Sequence, residues 1–283
     1  MANETTSSSL NDLLPLIISE AMFISSEQSI MRNLVKNYTL PAGSGKSIVV
    51  PRYPVQTASS VAEGTDLTNT AVSTDGATLT VGEVGIMTTV TDMAVSTASS
   101  NVIADLGQLF GTAIAAKLDR DLTALFSGFS THTLGDGTGN LSAADIFKAV
   151  AKLRAAGVPA SNLYCVLSPT VAYDLKANMT NTFANPNAGI LQNEAMTMGY
   201  VGMIAGVPVF ETANIANTGT AGDYKCGLFH RDALGLALMS DIKIELQRDA
   251  SMRATEVVAT AVYAVGEVYD GYGVQLHFDS SIE

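Results

Sequence analysis

Residues 44–95 of this chain hold two strand-forming segments joined by a stretch that no core can use. The segments run from about Lys46 to Val55 and from Ala77 to Val95, and both are rich in β-branched and apolar residues. Between them, 57–76 (TASSVAEGTDLTNTAVSTDG) offers Ser, Thr, Ala, Gly and Asp with almost no large apolar side chain. The pattern predicts a long β-hairpin with a polar tip. A two-stranded ribbon is only marginally stable in water by itself, and its unpaired edges invite pairing with other chains. A chain that keeps such a ribbon lays it on something, so the sequence points to a subunit whose arm crosses a neighbour.

Composition agrees. Charged residues make up 15% of the chain, against about 25% in an ordinary soluble domain, while hydrophobic residues make up 47%. Interfaces are depleted in Lys, Glu and Asp, so the shortage of charge points to large contacts between copies. Apolar runs break well short of the ~20 residues that cross a bilayer, and no membrane span is expected. The opening Met1-Ala2-Asn3-Glu4-Thr5 has no basic region and leads into no secretory core, so a cytoplasmic place of synthesis is expected. A net charge of −12 argues against a protein that grips nucleic acid by neutralising phosphates. It leaves room for one that encloses nucleic acid without gripping it.

Motifs that carry chemistry fail one by one. Gly45-Lys46-Ser47 is how a phosphate-binding loop ends, but the first glycine of G-x-x-x-x-G-K-[ST] would fall on Leu40. Ile48-Val49-Val50-Pro51 then reads as a strand, which leaves no helix N-terminus to hold phosphates. Asp136, Thr138, Asn140 and Ser142 alternate as in a calcium loop. Yet Leu141 stands where the sharp-turn glycine belongs, and Phe147 where the bidentate glutamate belongs. Cys165 and Cys226 lie in apolar, strand-like contexts with no C-x-x-C pair and read as buried thiols. His132, His230 and His277 have no ligand spacing. The carboxylate pairs Asp119/Asp121 and Asp223/Asp232 read as surface groups, and no nucleophile–base–orienter set emerges. No catalytic, cofactor-binding or metal residue is assigned, and a protein that is not an enzyme is expected.

Along the chain, residues 1–9 are polar, and Leu10, Leu13, Leu14, Ile17, Ile18 and Ala21 then share one helical face. Pro15 is tolerable only in a first turn, which starts this helix near Asn11 or Asp12. Its stripe must dock on its own subunit or on a neighbour. A second helix runs from Ser100 to about Phe126, with Ile103, Leu106, Phe110, Ala113, Ile114, Leu118, Leu122 and Leu125 in phase and Gly128 as the stop. Lys117, Asp119, Arg120 and Asp121 mark its solvated side. Ser142-Ala143-Ala144-Asp145 opens a helix over 143–156 that Gly157 closes. Leu163–Leu167 reads as a buried strand, Ser168-Pro169 opens another helix, and Val207–Phe210 is a strand, which makes the middle third an α/β lobe. Strands near 225–229, 242–246, 256–263 and 273–278 finish the chain as an antiparallel sheet that the long helix can cover.

This order of parts resembles the major capsid protein of tailed bacteriophages, the Hong Kong 97 (HK97) fold. The resemblance rests on SLNDLLPLIISEAM, on GKSIVVPRYPV leading to LTVGEVGIMTTVTDMAV, and on LYCVLSPTVAYDLK, GYVGMIAGVPVFETANI and CGLFHRDALGLALMSDIKIELQRDAS. It implies an α+β, HK97-like capsid fold with an N-terminal arm (1–43) and an extended β-hairpin loop (44–95). A peripheral domain with a spine helix (96–139), an α/β axial domain (140–222) and a return to the antiparallel peripheral sheet (223–283) complete it. The implied function is a shell of hexamers and pentamers that closes into an icosahedral capsid around double-stranded viral DNA. The implied location is a virion assembled in a bacterial cytoplasm. Implied partners are further copies of the chain, a portal, decoration proteins and a separate scaffolding protein, the last because the chain opens directly on the arm. DNA would be enclosed without sequence-specific binding. Candidate assembly contacts are Leu13, Leu14, Ile17 and Ile18 on the arm, Val49, Arg52 and Tyr53 on the ribbon, and Glu63 and Asp66 at its tip. Encapsulin-like compartments share the fold and package protein cargo, a difference that nucleic acid in purified particles would reveal. A small α/β enzyme, argued only from the middle lobe, would be a monomer.

Overall fold

The computed structural model describes residues 29–41, 43–53, 56, 58, 60–66, 69, 71–97, 102–182, 200–219 and 222–282. The apolar stripe of the arm, with Leu13, Leu14, Ile17 and Ile18, lies outside the described residues. The chain opens with α1 (Met31–Leu34), β1 (Lys36–Thr39), β2 (Ser47–Arg52), β3 (Asp75–Thr80) and β4 (Gly82–Thr91). There follow α2 (Asp92–Thr97), the long α3 (Val102–Ala124), β5 (Thr133–Leu134), α4 (Ala143–Ala155), β6 (Leu163–Leu167) and α5 (Pro169–Thr182). The last strands are β7 (Tyr200–Ile204), β8 (Val207–Glu211), β9 (Asp223–His230), β10 (Leu234–Asp249), β11 (Ala254–Glu267) and β12 (Gly273–Asp279).

A four-stranded sheet in the order β1-β10-β11-β4 forms one half of the subunit. Its spine is the antiparallel β10–β11 hairpin, with β1 parallel to β10 and β4 antiparallel to β11. Val257, Ala259, Ala261 and Tyr263 of β11 are buried at every second position, the period of a strand with one dry face. Helix α3 packs against β11 and β4. It buries Phe110, Ile114, Leu118 and Leu122, one per turn, as a core-facing stripe requires.

The second half is a six-stranded mixed sheet in the order β5-β12-β9-β6-β8-β7. Helix α4 buries Ile146, Ala149, Val150 and Leu153. It starts where the Ser142 N–H and hydroxyl donate to Asp145 Oδ2 at 3.2 and 2.6 Å. It ends in a Schellman turn: Val158 N–H donates to the Leu153 carbonyl and Gly157 N–H to that of Arg154, both at 3.0 Å. Gly157 has φ +79°, the left-handed conformation this stop needs. Phe126, Phe129 and Phe229 join α3 to this sheet, with the ring of Phe126 6.4 Å from that of Phe129 and 5.5 Å from that of Phe229.

Two expectations change. The segment from Ala77 to Val95 is divided: β3 stays with β2, while β4 crosses to the free edge of β11. Val81 N–H still reaches the Lys46 carbonyl at 2.8 Å, and pairing with β2 ends there. Beyond that point Val84 and Ile86 gain the core by joining β11, which a free ribbon cannot offer. Strands of the last sixty residues also do not form one sheet. β10 and β11 belong to the four-stranded sheet, whereas β9 and β12 complete the six-stranded one. Short 3-10 turns at Arg231–Ala233 and Asp270–Tyr272 carry the chain between them. β9 buries Cys226, Leu228 and Phe229, so it needs neighbours on both edges and cover on both faces.

Candidate functional site: the assembly surfaces

The ribbon is short, rooted on one face and open on the other. β2 and β3 pair antiparallel from Ser47 opposite Thr80 to Arg52 opposite Asp75. Leu79 is 2% exposed and sits over Gly266, where a Cβ would collide with it, and beside Gly235, where one would lie 3.2 Å away. Val50, Ala77 and Leu79 form a small core of their own with Ala237, Ala264 and Val268 of the β10–β11 sheet region. The opposite face of the ribbon is open among the described residues: Val49 is 59% exposed and Tyr53 65%. Arg52 behaves differently from these two candidates. Its guanidinium donates to the Val268 carbonyl at 3.1 Å and pairs with Asp75, so it ties the ribbon to its own subunit.

Beyond the paired strands, every described residue from 53 to 75 is exposed. The apex is a hydrogen-bonded turn, Thr65 N–H to the Ala62 carbonyl at 3.2 Å, with Gly64 at φ +82°. Glu63 stands in that turn and Asp66 just after it. Among the described residues neither has an ion-pair or hydrogen-bond partner.

At the far end of the four-stranded sheet, Arg248 holds Asp92 through two contacts of 2.6 Å, and Asp92 N–H donates to the Arg253 carbonyl at 3.0 Å. These contacts fix α2, which buries none of its residues and leaves Met93 and Val95 exposed; Met252, next to Arg253 in the chain, is exposed as well. Sequence reasoning missed this apolar knob. Its only signal was a helix turn with no polar residue between Asp92 and Ser96.

Asp119 overturns the expected solvated side of the spine helix. It is 1% exposed and accepts from the Ser29 hydroxyl at 2.7 Å and from Ile30 and Met31 N–H at 3.2 and 3.3 Å. Burial pushes its carboxyl above the ordinary range, while those hydrogen bonds and one to Asn214 pull the other way. Asp119 thus pins the segment entering α1 onto α3. Its neighbour Asp121 accepts from the Tyr263 hydroxyl at 2.9 Å and pairs with Lys117 at 2.6 Å. Asp223 lies 2.6 Å from His277, and Asp232 lies 3.0 Å from Lys36. Each carboxylate imagined as half of an acid/base pair therefore has a separate structural partner. Cys165 and Cys226 are buried, and burial drives both thiols up, that of Cys226 to about 12. Gly45-Lys46-Ser47 runs straight into β2. No described helix is long and apolar enough to cross a membrane.

With this geometry in hand, similarity to known proteins is specific. A family model described as phage capsid protein matches residues 57–275. The capsid structure of cyanophage P-SCSP1u is similar with a TM-score of 0.68 and 19% identity, covering 89% of this chain and 89% of that chain. A structure from Mycobacterium phage Che8 is similar with a TM-score of 0.67 and 20% identity, over 88% of this chain and 90% of that one. The acid-stable capsid structure of Helicobacter pylori bacteriophage KHP30 shares 13% identity at a TM-score of 0.65, over 89% and 91%. No curated protein matches the chain by sequence. At such identities the structural likeness is one of fold, and it extends over nearly the whole chain.

Proposed function

Because the chain belongs to the phage capsid protein family, we propose that its copies gather into hexamers and pentamers and close an icosahedral shell around double-stranded DNA. It is a major capsid protein, a structural component of the virion, in an α+β HK97-like fold. The observation that carries the mechanism is the ribbon. Its root is fixed by Leu79 and Arg52, its outer face presents Val49 and Tyr53, and every described residue of its tip is exposed. An arm held rigidly at one end and unsatisfied at the other gains by crossing an adjacent copy, where its apolar face and strand edges are covered.

The same reading assigns the arm residues Leu13, Leu14, Ile17 and Ile18 to contacts under the spine helix or on a neighbour. It divides the chain into arm, extended loop, spine-helix region, axial lobe (140–222) and a returning peripheral segment (223–283). The balance of charge, −12, suits a wall that lets DNA pack and leave, since a lysine-rich wall would hold it through released counterions. A scaffolding protein supplied as a separate chain, a portal and decoration proteins complete the proposed partners. The test is electron microscopy of the purified chain, with scaffold where required. Closed particles bearing fivefold and sixfold clusters and filled with nucleic acid are expected. A stable monomer under assembly conditions would refute the shell.

A further inference from the structure

Several cations of this subunit hold a carboxylate, as Arg32 holds Asp241, Lys36 holds Asp232 and Lys176 holds Glu211. Arg120 and Lys225 are among those that do not. Among the described residues neither forms an ion pair, and both line an open cleft of about 640 Å³ between the last turns of α3 and the 213–218 loop. Among the described residues no Asp or Glu lines this cleft, in a chain with 27 acidic and 15 basic side chains. Asp223, whose charge Lys225 feels, is taken up by His277 at 2.6 Å and by the Thr218 hydroxyl at 2.6 Å. The hydroxyls of Thr123 and Ser127 donate to backbone carbonyls of their own chain. Asn217 uses its carbonyl to accept from Gly219 N–H at 2.8 Å, which leaves its NH₂ as a third donor. The lining thus carries two positive charges with no acidic counterpart among the described residues.

The complement lies on the same molecule. Residues 53–74 contain no Lys or Arg, and their acids, Glu63 and Asp66, are exposed and have no ion-pair partner among the described residues. Building on the shell reading, we propose that the Arg120/Lys225 cleft of one copy receives the acidic ribbon tip of a neighbouring copy. Glu63 stands about eleven residues from the last strand pair on either side, so at ~3.3 Å per residue the tip reaches up to roughly 35 Å past the ribbon. Among the described residues, none of the tip lines the cleft of its own subunit. A charged pair of this kind sets register and rate of encounter between copies more than it sets affinity. That is the task of an arm that must find one neighbour among several orientations.

The experiment is a charge reversal in three forms of the full chain. Glu63→Lys with Asp66→Lys, and separately Arg120→Glu with Lys225→Glu, should each cut the yield of closed particles about tenfold near physiological salt. The unassembled subunits should melt as wild type does. All four changes together should restore particles to within about twofold of wild type, because the attraction is rebuilt with its sign exchanged. Should Arg120→Glu with Lys225→Glu fail to fold, Arg120→Gln with Lys225→Gln should still remove the salt dependence of assembly. Wild-type yield from either reversed pair, or no rescue in the quadruple variant, overturns the docking while leaving the shell intact. Particles that lose DNA on cleft reversal but ignore tip reversal would assign the cleft to nucleic-acid phosphates and overturn it too. If the wild-type chain itself forms no particles, the shell reading falls and the docking with it.

Discussion

Replacing Asp119 with alanine should cost the subunit about 4 kcal/mol, worked from its three donors. The Ser29 hydroxyl and the Met31 N–H are both in buried residues, so once the carboxylate is gone they have no water to turn to. An orphaned buried donor costs ~1–3 kcal/mol, and two of them at mid-range give the total. Ile30 is partly exposed and its N–H contributes less. At ~2–4 °C per kcal/mol in a chain of this size, Tm should fall by roughly 10 °C. Asp119→Asn keeps one carbonyl acceptor and should cost about half as much. The pH dependence has a definite sign. Burial holds the folded Asp119 carboxyl above its unfolded value, so its proton-linked stability is fully present below the ordinary carboxylate range and is lost as pH rises through the folded pKa. The gap between wild type and Asp119→Asn should therefore be wider near pH 4 than at pH 7. Urea unfolding of the unassembled subunit, followed by circular dichroism with slopes compared, measures both effects. An alanine variant within ~1 kcal/mol of wild type would show that Asp119 does not pin the entering segment. A gap that narrows on acidification would refute the burial argument.

Deleting residues 56–73, with the strands rejoined by a short turn, should leave the melting of the subunit near wild type but abolish or misdirect shell closure. Normal particles, or an insoluble subunit, would each contradict the role given to the ribbon. Gly273→Ala places a methyl on the Phe129 ring and Gly227→Ala one within 2.6 Å of Phe126, so both should destabilise by ~1–3 kcal/mol or more. Gly139→Ala, which meets nothing within 4 Å, is the matched control, and equal melting of all three would refute the packing argument. The thiols of Cys165 and Cys226 should ignore a thiol reagent at mildly alkaline pH until urea unfolds the subunit; labelling of the native protein at the rate of a free thiol would contradict their burial.

The parts of this protein that were legible are those whose signals lie within a few residues of one another. Ser142 and Asp145 announce the start of α4, Gly157 its end, and the one-per-turn apolar residues of α3 its buried face. A polar tip between two β-branched segments likewise fixes an exposed arm whatever the rest of the chain does. The sequence alone thus determined the main helices, the exposed ribbon tip and the need for a neighbour. Asp119 was misread because its neighbours Lys117, Arg120 and Asp121 suggest a wet face. Its phase between buried Ala115 and Thr123 was the available signal, but the donors that satisfy it come from 88 to 90 residues away. The crossing of β4 to β11, the division of the last strands between two sheets, and the placing of Arg120 and Lys225 on one cleft have the same cause. A strand pattern specifies which face must be dry and says nothing about which edge will supply the partner. That choice goes to whichever distant segment buries the most apolar surface there, and only the folded chain makes it.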